Sequence, residues 1–141
     1  MIREVVLDAC VLIQYVESEH PLHEETVDYL SQIDAPLVVN NVTLSEVLVG
    51  AEQAGIGDSI LSSIIDDLGA RVFDGIGSEW AMLVAQTRAN SPVRIKVPDA
   101  IGLATALTIG GLVATHDKRL AKAAASEDAL YSANDHMYPA R

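Results

Sequence analysis

Apolar runs of strand length alternate along this chain with longer segments in which apolar positions return at helical spacing. Residues 2–7, 36–40, 70–73 and 112–115 are the four runs, and their Val, Leu and Ile content without polar alternation predicts strands buried on both faces. The intervening segments predict helices over 8–18, 22–33, 43–55, 58–68, 78–90, 98–109 and 117–125; in the second, Leu22, Val27, Leu30 and Ile33 fall roughly on one side. Local punctuation agrees. Gly55 closes one helix, Ser78 is expected to cap another, Ser91-Pro92 marks a break, Pro98 suits a first helical turn, and Gly110-Gly111 stops the helix that Pro98 opens. After residue 126 the pattern fades; 129–131 is expected to add a short edge strand, with a loose tail to residue 141. Strands alternating with helices in this way imply an α/β fold, a parallel sheet covered on both faces, and 141 residues suffice for a single domain over 1–141.

Composition narrows the setting. Cys10 is the only cysteine, so no internal disulfide is available and a reducing cytoplasm is the expected compartment. The apolar start is too short for a signal peptide, and the longest uncharged stretch, 100–115, falls short of a membrane span and contains Gly110-Gly111. No membrane association is expected. The net charge of −11 looks unsuited to nucleic acid, whose phosphates repel an acidic surface. Its distribution changes that picture: residues 1–87 hold two basic against fifteen acidic side chains, whereas 88–141 hold seven basic against five acidic. Within 88–122, Asp99 and Asp117 are the only acids, among Arg88, Arg94, Lys96, Lys118, Arg119 and Lys122.

Asp8 follows the first predicted strand, Glu46 lies one turn into the helix after the second, and Asp117 lies just past the fourth. In open α/β sheets ligands bind outside the carboxyl ends of the strands, so these three acids share one edge. Asp99 opens the helix before the fourth strand and reaches that edge only if the segment ahead of it crosses over first. Each acid alone is explained as well by helix capping, worth about 0.3–1 kcal/mol. Together they point to a cation, because like charges gather where one compensates them and hard oxygen donors suit Mg2+ or Mn2+. The histidines do not group at zinc spacing, and Cys10 has no neighbouring base for thiol chemistry. His116, between Thr115 and Asp117, reads as a loop residue beside the acids.

At these positions the chain resembles the PIN-domain ribonucleases, and within them the VapC toxins of bacterial type II toxin–antitoxin systems. Val5-Val6-Leu7-Asp8-Ala9-Cys10 is similar to the family's first motif, Thr43-Leu44-Ser45-Glu46-Val47 to the second, Pro98-Asp99-Ala100-Ile101 to the third, and Thr115-His116-Asp117 to the fourth. The four occur in order over nearly the whole chain. The resemblance implies a three-layer, Rossmann-like α/β/α sandwich, with Asp8 and Asp99 as principal metal ligands and Glu46 and Asp117 completing the acidic site. It also implies that the Asp99 helix begins at the active edge. Cys10 departs from the family pattern, which usually has Ser, Thr or Asn there to orient the first aspartate; a thiol is a weaker hydrogen-bond partner.

The expected function is therefore metal-dependent hydrolysis of RNA, with Mg2+ or Mn2+ as cofactor, an antitoxin protein as partner, and a homodimer as the assembly. Arg94, Lys96, Lys118 and Arg119 are candidates for flanking phosphates, and Thr115 is a further candidate beside them. Two other classes share parts of this pattern. A non-catalytic module of the same fold, binding RNA or protein, would be expected to have lost one or more of the acids. A response-regulator-like domain would want paired acids after the first strand, where Asp8 stands alone.

Overall fold

In the computed structural model, which describes residues 2–132, four parallel strands form one sheet: β1 (Val5–Leu7), β2 (Leu37–Asn40), β3 (Arg71–Phe73) and β4 (Leu112–Ala114), in the order β3-β2-β1-β4. Alternation within each strand builds two cores. Val5, Leu7, Val39, Leu112 and Ala114 face one side, where α1 (Ala9–Val16), α2 (His23–Ser31), α3 (Asn41–Gln53) and α4 (Gly57–Ser62) supply Leu12, Leu30, Leu44, Val47 and other apolar groups. Val6, Val38 and Val113 face the other, against α5 (Gly77–Ala89), α6 (Val97–Ile109) and α7 (Lys118–Ser126). Sheet residues packed on both faces are why the strands read as unbroken apolar runs. The three-layer sandwich with a parallel centre is thus the observed fold.

Several boundaries differ from those the pattern suggests. The first strand begins at Val5, not residue 2; Arg3 instead uses its guanidinium on the carbonyls of Gly110, Gly111 and Asp128. The third helix starts at Asn41 because Asn40, the last residue of β2, caps it. Ser78 lies inside α5 and caps nothing; the helix begins one residue earlier, at Gly77, whose φ of +90° lies in the region that favours glycine. Helix α4 is shorter than expected and passes into a π-helical turn, Ser63–Asp67, with Leu68 N–H donating to the Ser63 carbonyl. The expected strand at 129–131 is a single parallel bridge between Val113 and Leu130. The tail expected after it lies outside the described residues. Among the described residues no helix is long and apolar enough to cross a membrane.

The chain proceeds outward from β1 to β2 to β3, then returns to the other flank of β1 for β4. That reversal opens a crevice at the carboxyl ends of β1 and β4, the place where this class of sheet binds its ligands.

Candidate metal centre

Strand register sets the floor of the crevice. Val6 is level with Val38, Leu7 with Ala114, and Asn40 with Phe73, so Asn40, the last residue of β2, lies in one row with Asp8 and Thr115, the residues just past β1 and β4. Thr115 Oγ1 donates to Asp8 Oδ2 at 2.7 Å, and Cys10 Sγ donates to the same oxygen at 3.0 Å. Asp8 Oδ1 accepts the Ala9 N–H at 2.9 Å and so caps α1. The carboxylate is held by three donors from two segments distant in sequence.

Asp117 caps α7, its Oδ1 accepting from Arg119 N–H and Leu120 N–H at 2.9 and 3.0 Å, while its own N–H donates to Thr115 Oγ1 at 3.0 Å. One threonine hydroxyl therefore stands between the two aspartates. Asp99 is the third residue of α6, after Pro98 in the first turn, and its carboxylate reaches back to the Lys96 N–H. Glu46 lies exposed in the second turn of α3.

The charges of these segments act on one another. The Asp99 carboxyl is pushed above its ordinary range by partial burial and then by the charges of Asp8 and Asp117, against the Lys96 N–H and charge. Burial, then Asp8, then Asp99 raise the Glu46 carboxyl in the same direction. Arg119 also donates to the Arg94 carbonyl at 3.3 Å, and Arg88 Nε to the Ile95 carbonyl at 2.8 Å, which fastens the connection ahead of α6 beside the start of α7.

Both halves of Cys10's environment are legible. Burial, the Asp8 charge and the hydrogen bond to Asp8 push its thiol up to about 11, outweighing the His116 N–H and the Thr115 hydroxyl, so it remains a donor at neutral pH. The structure places the other candidates differently from one another. Arg94, Lys96, Lys118 and Arg119 are exposed, with Arg119 partly spent on the Arg94 carbonyl. Thr115 lies buried beneath Asp8 and gives its proton to that carboxylate.

Sequence reading passed over three residues that support this edge. Asn40 is fully buried and links α3 to α6. Buried Gln14 accepts at Oε1 from Thr26 Oγ1 at 2.7 Å and meets His116 Nδ1 at 2.8 Å, while Tyr29 packs edge-on against the His116 ring at 5.0 Å. A polar residue inside an otherwise apolar segment, as at Asn40 and Gln14, was the available signal.

The donor set consists of carboxylate oxygens, the chemistry that suits Mg2+ or Mn2+ and not softer metals. Among the described residues no three His, Cys, Asp or Glu side chains form a group that could hold a metal ion as they stand. Asp8, Asp99 and Asp117 each have oxygens turned onto backbone N–H groups. A Mg2+ ion keeps several waters and takes only one or two protein carboxylates alongside substrate phosphates, so a three-ligand cage is not required for the set to fit.

A model of the PIN domain matches residues 5–126. Among curated proteins no sequence matches significantly. Solved structures of similar fold include a toxin–antitoxin complex from Klebsiella pneumoniae, 20% identical with a TM-score of 0.70, covering 92% of this chain and 97% of that one. FitAcB from Neisseria gonorrhoeae is 19% identical with a TM-score of 0.69 over 92% of this chain and 97% of its own. VapC20 of Mycobacterium tuberculosis, a sarcin–ricin loop cleaving toxin, is 12% identical with a TM-score of 0.58, covering 75% and 83%.

Proposed function

The chain belongs to the PIN domain family, and from that premise we propose that it is a metal-dependent ribonuclease, the toxin of a type II toxin–antitoxin pair. The observation that carries this reading lies at the crevice between β1 and β4, where the Thr115 hydroxyl joins the Asp8 carboxylate to the backbone of Asp117; after burial, the charges of Asp8 and Asp117 raise Asp99, and those of Asp8 and Asp99 raise Glu46. Uncompensated, such a gathering is unfavourable; a divalent cation makes it useful.

Asp8 and Asp99 are the residues to hold Mg2+ or Mn2+, with Glu46 and Asp117 completing the acidic set. When bound, the ion supplies Lewis-acid stabilisation of the phosphate and an activated water. Thr115 and Cys10 fix the orientation of Asp8, so that the carboxylate does not have to be ordered when RNA arrives. Arg94, Lys96 and Lys118, all exposed, take the flanking phosphates. The toxin–antitoxin neighbours support an antitoxin partner that blocks this edge, and a homodimer acting in the cytoplasm is part of the same proposal.

Incubating the purified chain with cellular RNA, with and without Mg2+ or Mn2+, tests the reading. Cleavage at discrete ends is expected only with the ion, and Asp8→Asn and Asp99→Asn are expected to lower it at least a hundredfold while circular dichroism stays unchanged. Undiminished metal-dependent cleavage by both variants would overturn the assignment.

A further inference from the structure

Asn40 occupies the last position of β2, fully buried and, by register, level with Asp8 on the neighbouring strand. Its side chain does two things. Oδ1 accepts the Val42 N–H at 2.7 Å and caps α3, the helix that carries Glu46. Nδ2 donates to Thr105 Oγ1 at 3.1 Å on α6, the helix that carries Asp99. Thr105 is itself fully buried and sends its own proton to the Ile101 carbonyl at 2.8 Å, leaving its lone pairs for the amide. The Thr105 hydroxyl proton is committed to the Ile101 carbonyl, so Thr105 can only accept from Asn40, and the orientation of the Asn40 amide follows from it.

Capping alone does not account for asparagine here. Ser, Thr or Asp would accept the Val42 N–H as well, but aspartate has no proton to give Thr105 and serine has too short a reach to serve both partners. A buried amide that is satisfied at both ends rigidifies the groups it joins, and a buried amide left with one end open is costly. We propose that Asn40, acting through Thr105, is a positioning residue that sets the separation of Glu46 on α3 from Asp99 on α6, and thereby the affinity of the acidic edge for a divalent cation.

This inference rests on the metal-dependent reading, and the test separates the two. Binding of Mn2+ to the purified full chain, followed by the paramagnetic resonance signal of the free ion, needs no RNA and no turnover. Thr105→Val, nearly the same size but without the acceptor, is expected to weaken Mn2+ binding by roughly tenfold, within the range for residues that orient metal ligands. Thr105→Ser keeps the hydroxyl and is expected to stay within about twofold of the parent protein, so loss and rescue follow the hydrogen bond. Asn40→Ser, which retains the α3 cap, is expected to match Thr105→Val, and the double variant to be no worse than either single one, since both break the same link. Gly110→Ala, at the far end of α6, serves as the control for a purely structural change: lower thermal stability with unaltered Mn2+ affinity.

If Thr105→Val folds and binds Mn2+ as tightly as the parent, the positioning role is overturned while the nuclease reading stands. A parent protein that binds no Mn2+ overturns both. Should Asn40→Ser not fold, the Thr105 pair alone decides, because it leaves Asn40 and its cap in place.

Discussion

Asp8 shows at the level of single residues how this edge is assembled. A carboxylate at the end of a buried strand needs donors, and it finds them in Thr115, Cys10 and the Ala9 N–H. The thiol at position 10 is accommodated because burial and the Asp8 charge keep it protonated, with its pKa raised to about 11. Cys10 in the metal-free protein should accordingly react with iodoacetamide at pH 8 far more slowly than a small-molecule thiol, since the thiolate is the reactive form. Thr115 gives the shorter bond, so Thr115→Val is expected to lower RNA cleavage by about 10–100-fold and Thr115→Ser to restore it. Glu46 carries a sign that can be measured. Its carboxyl is raised in the folded state, so its contribution to stability is present at acid pH and lost as pH rises through that raised value. Glu46→Gln should therefore slightly raise the thermal midpoint of the metal-free protein at neutral pH, leave it unchanged in acid, and weaken cleavage. A lower midpoint at neutral pH would contradict the crowding of charges at this edge.

Among the elements, α6 was the most legible and α4 the least. Pro98 in the first turn and Gly110 in the left-handed conformation at the end bracket α6 as the residue types require. Gly110→Ala places a β-carbon on a φ of +65° and should cost about 1 kcal/mol in urea denaturation, with cleavage per folded molecule unchanged. The π-helical turn after α4 could not be read from spacing, because one added residue in a turn shifts the apolar face without breaking the run. That turn buries Ile64 completely against the β1–α1 core. Ile64→Ala is expected to destabilise the fold by about 2–5 kcal/mol while leaving the acids in place, a difference that denaturation and circular dichroism will resolve. Ser78 failed as a predicted cap because a capping residue type recurs at many positions; which one is used depends on where the preceding turn delivers the chain, here on Gly77.

For the molecule as a whole, the division of charge matters more than the total of −11. Arg94, Lys96, Lys118 and Arg119 are exposed in the segments that carry Asp99 and Asp117, and on the proposed function they attract phosphates to an otherwise repulsive surface. RNA binding should then weaken steeply with salt. Each of Arg94→Ala and Lys118→Ala is expected to lower the slope of log affinity against log salt by about 0.7, the value for one phosphate contact on a single strand, and to raise KM more than it lowers kcat. An unchanged slope in both would place the RNA elsewhere.

The amino-acid sequence by itself determined the strand–helix alternation, the parallel three-layer fold and the candidacy of four acids, because burial on two faces, helix stops and carboxylate chemistry are all local properties of residues and spacing. Only the tertiary structure decided how the acid-bearing segments are set toward one another, since the connection ahead of α6 is fastened beside the start of α7 by bonds between residues distant along the chain. It alone set Thr115 beneath Asp8 and tied α3 to α6 through Asn40 and Thr105. Strand register and helix packing join residues 107 and 65 positions apart, and no local pattern encodes which polar side chain will find which partner across such separations.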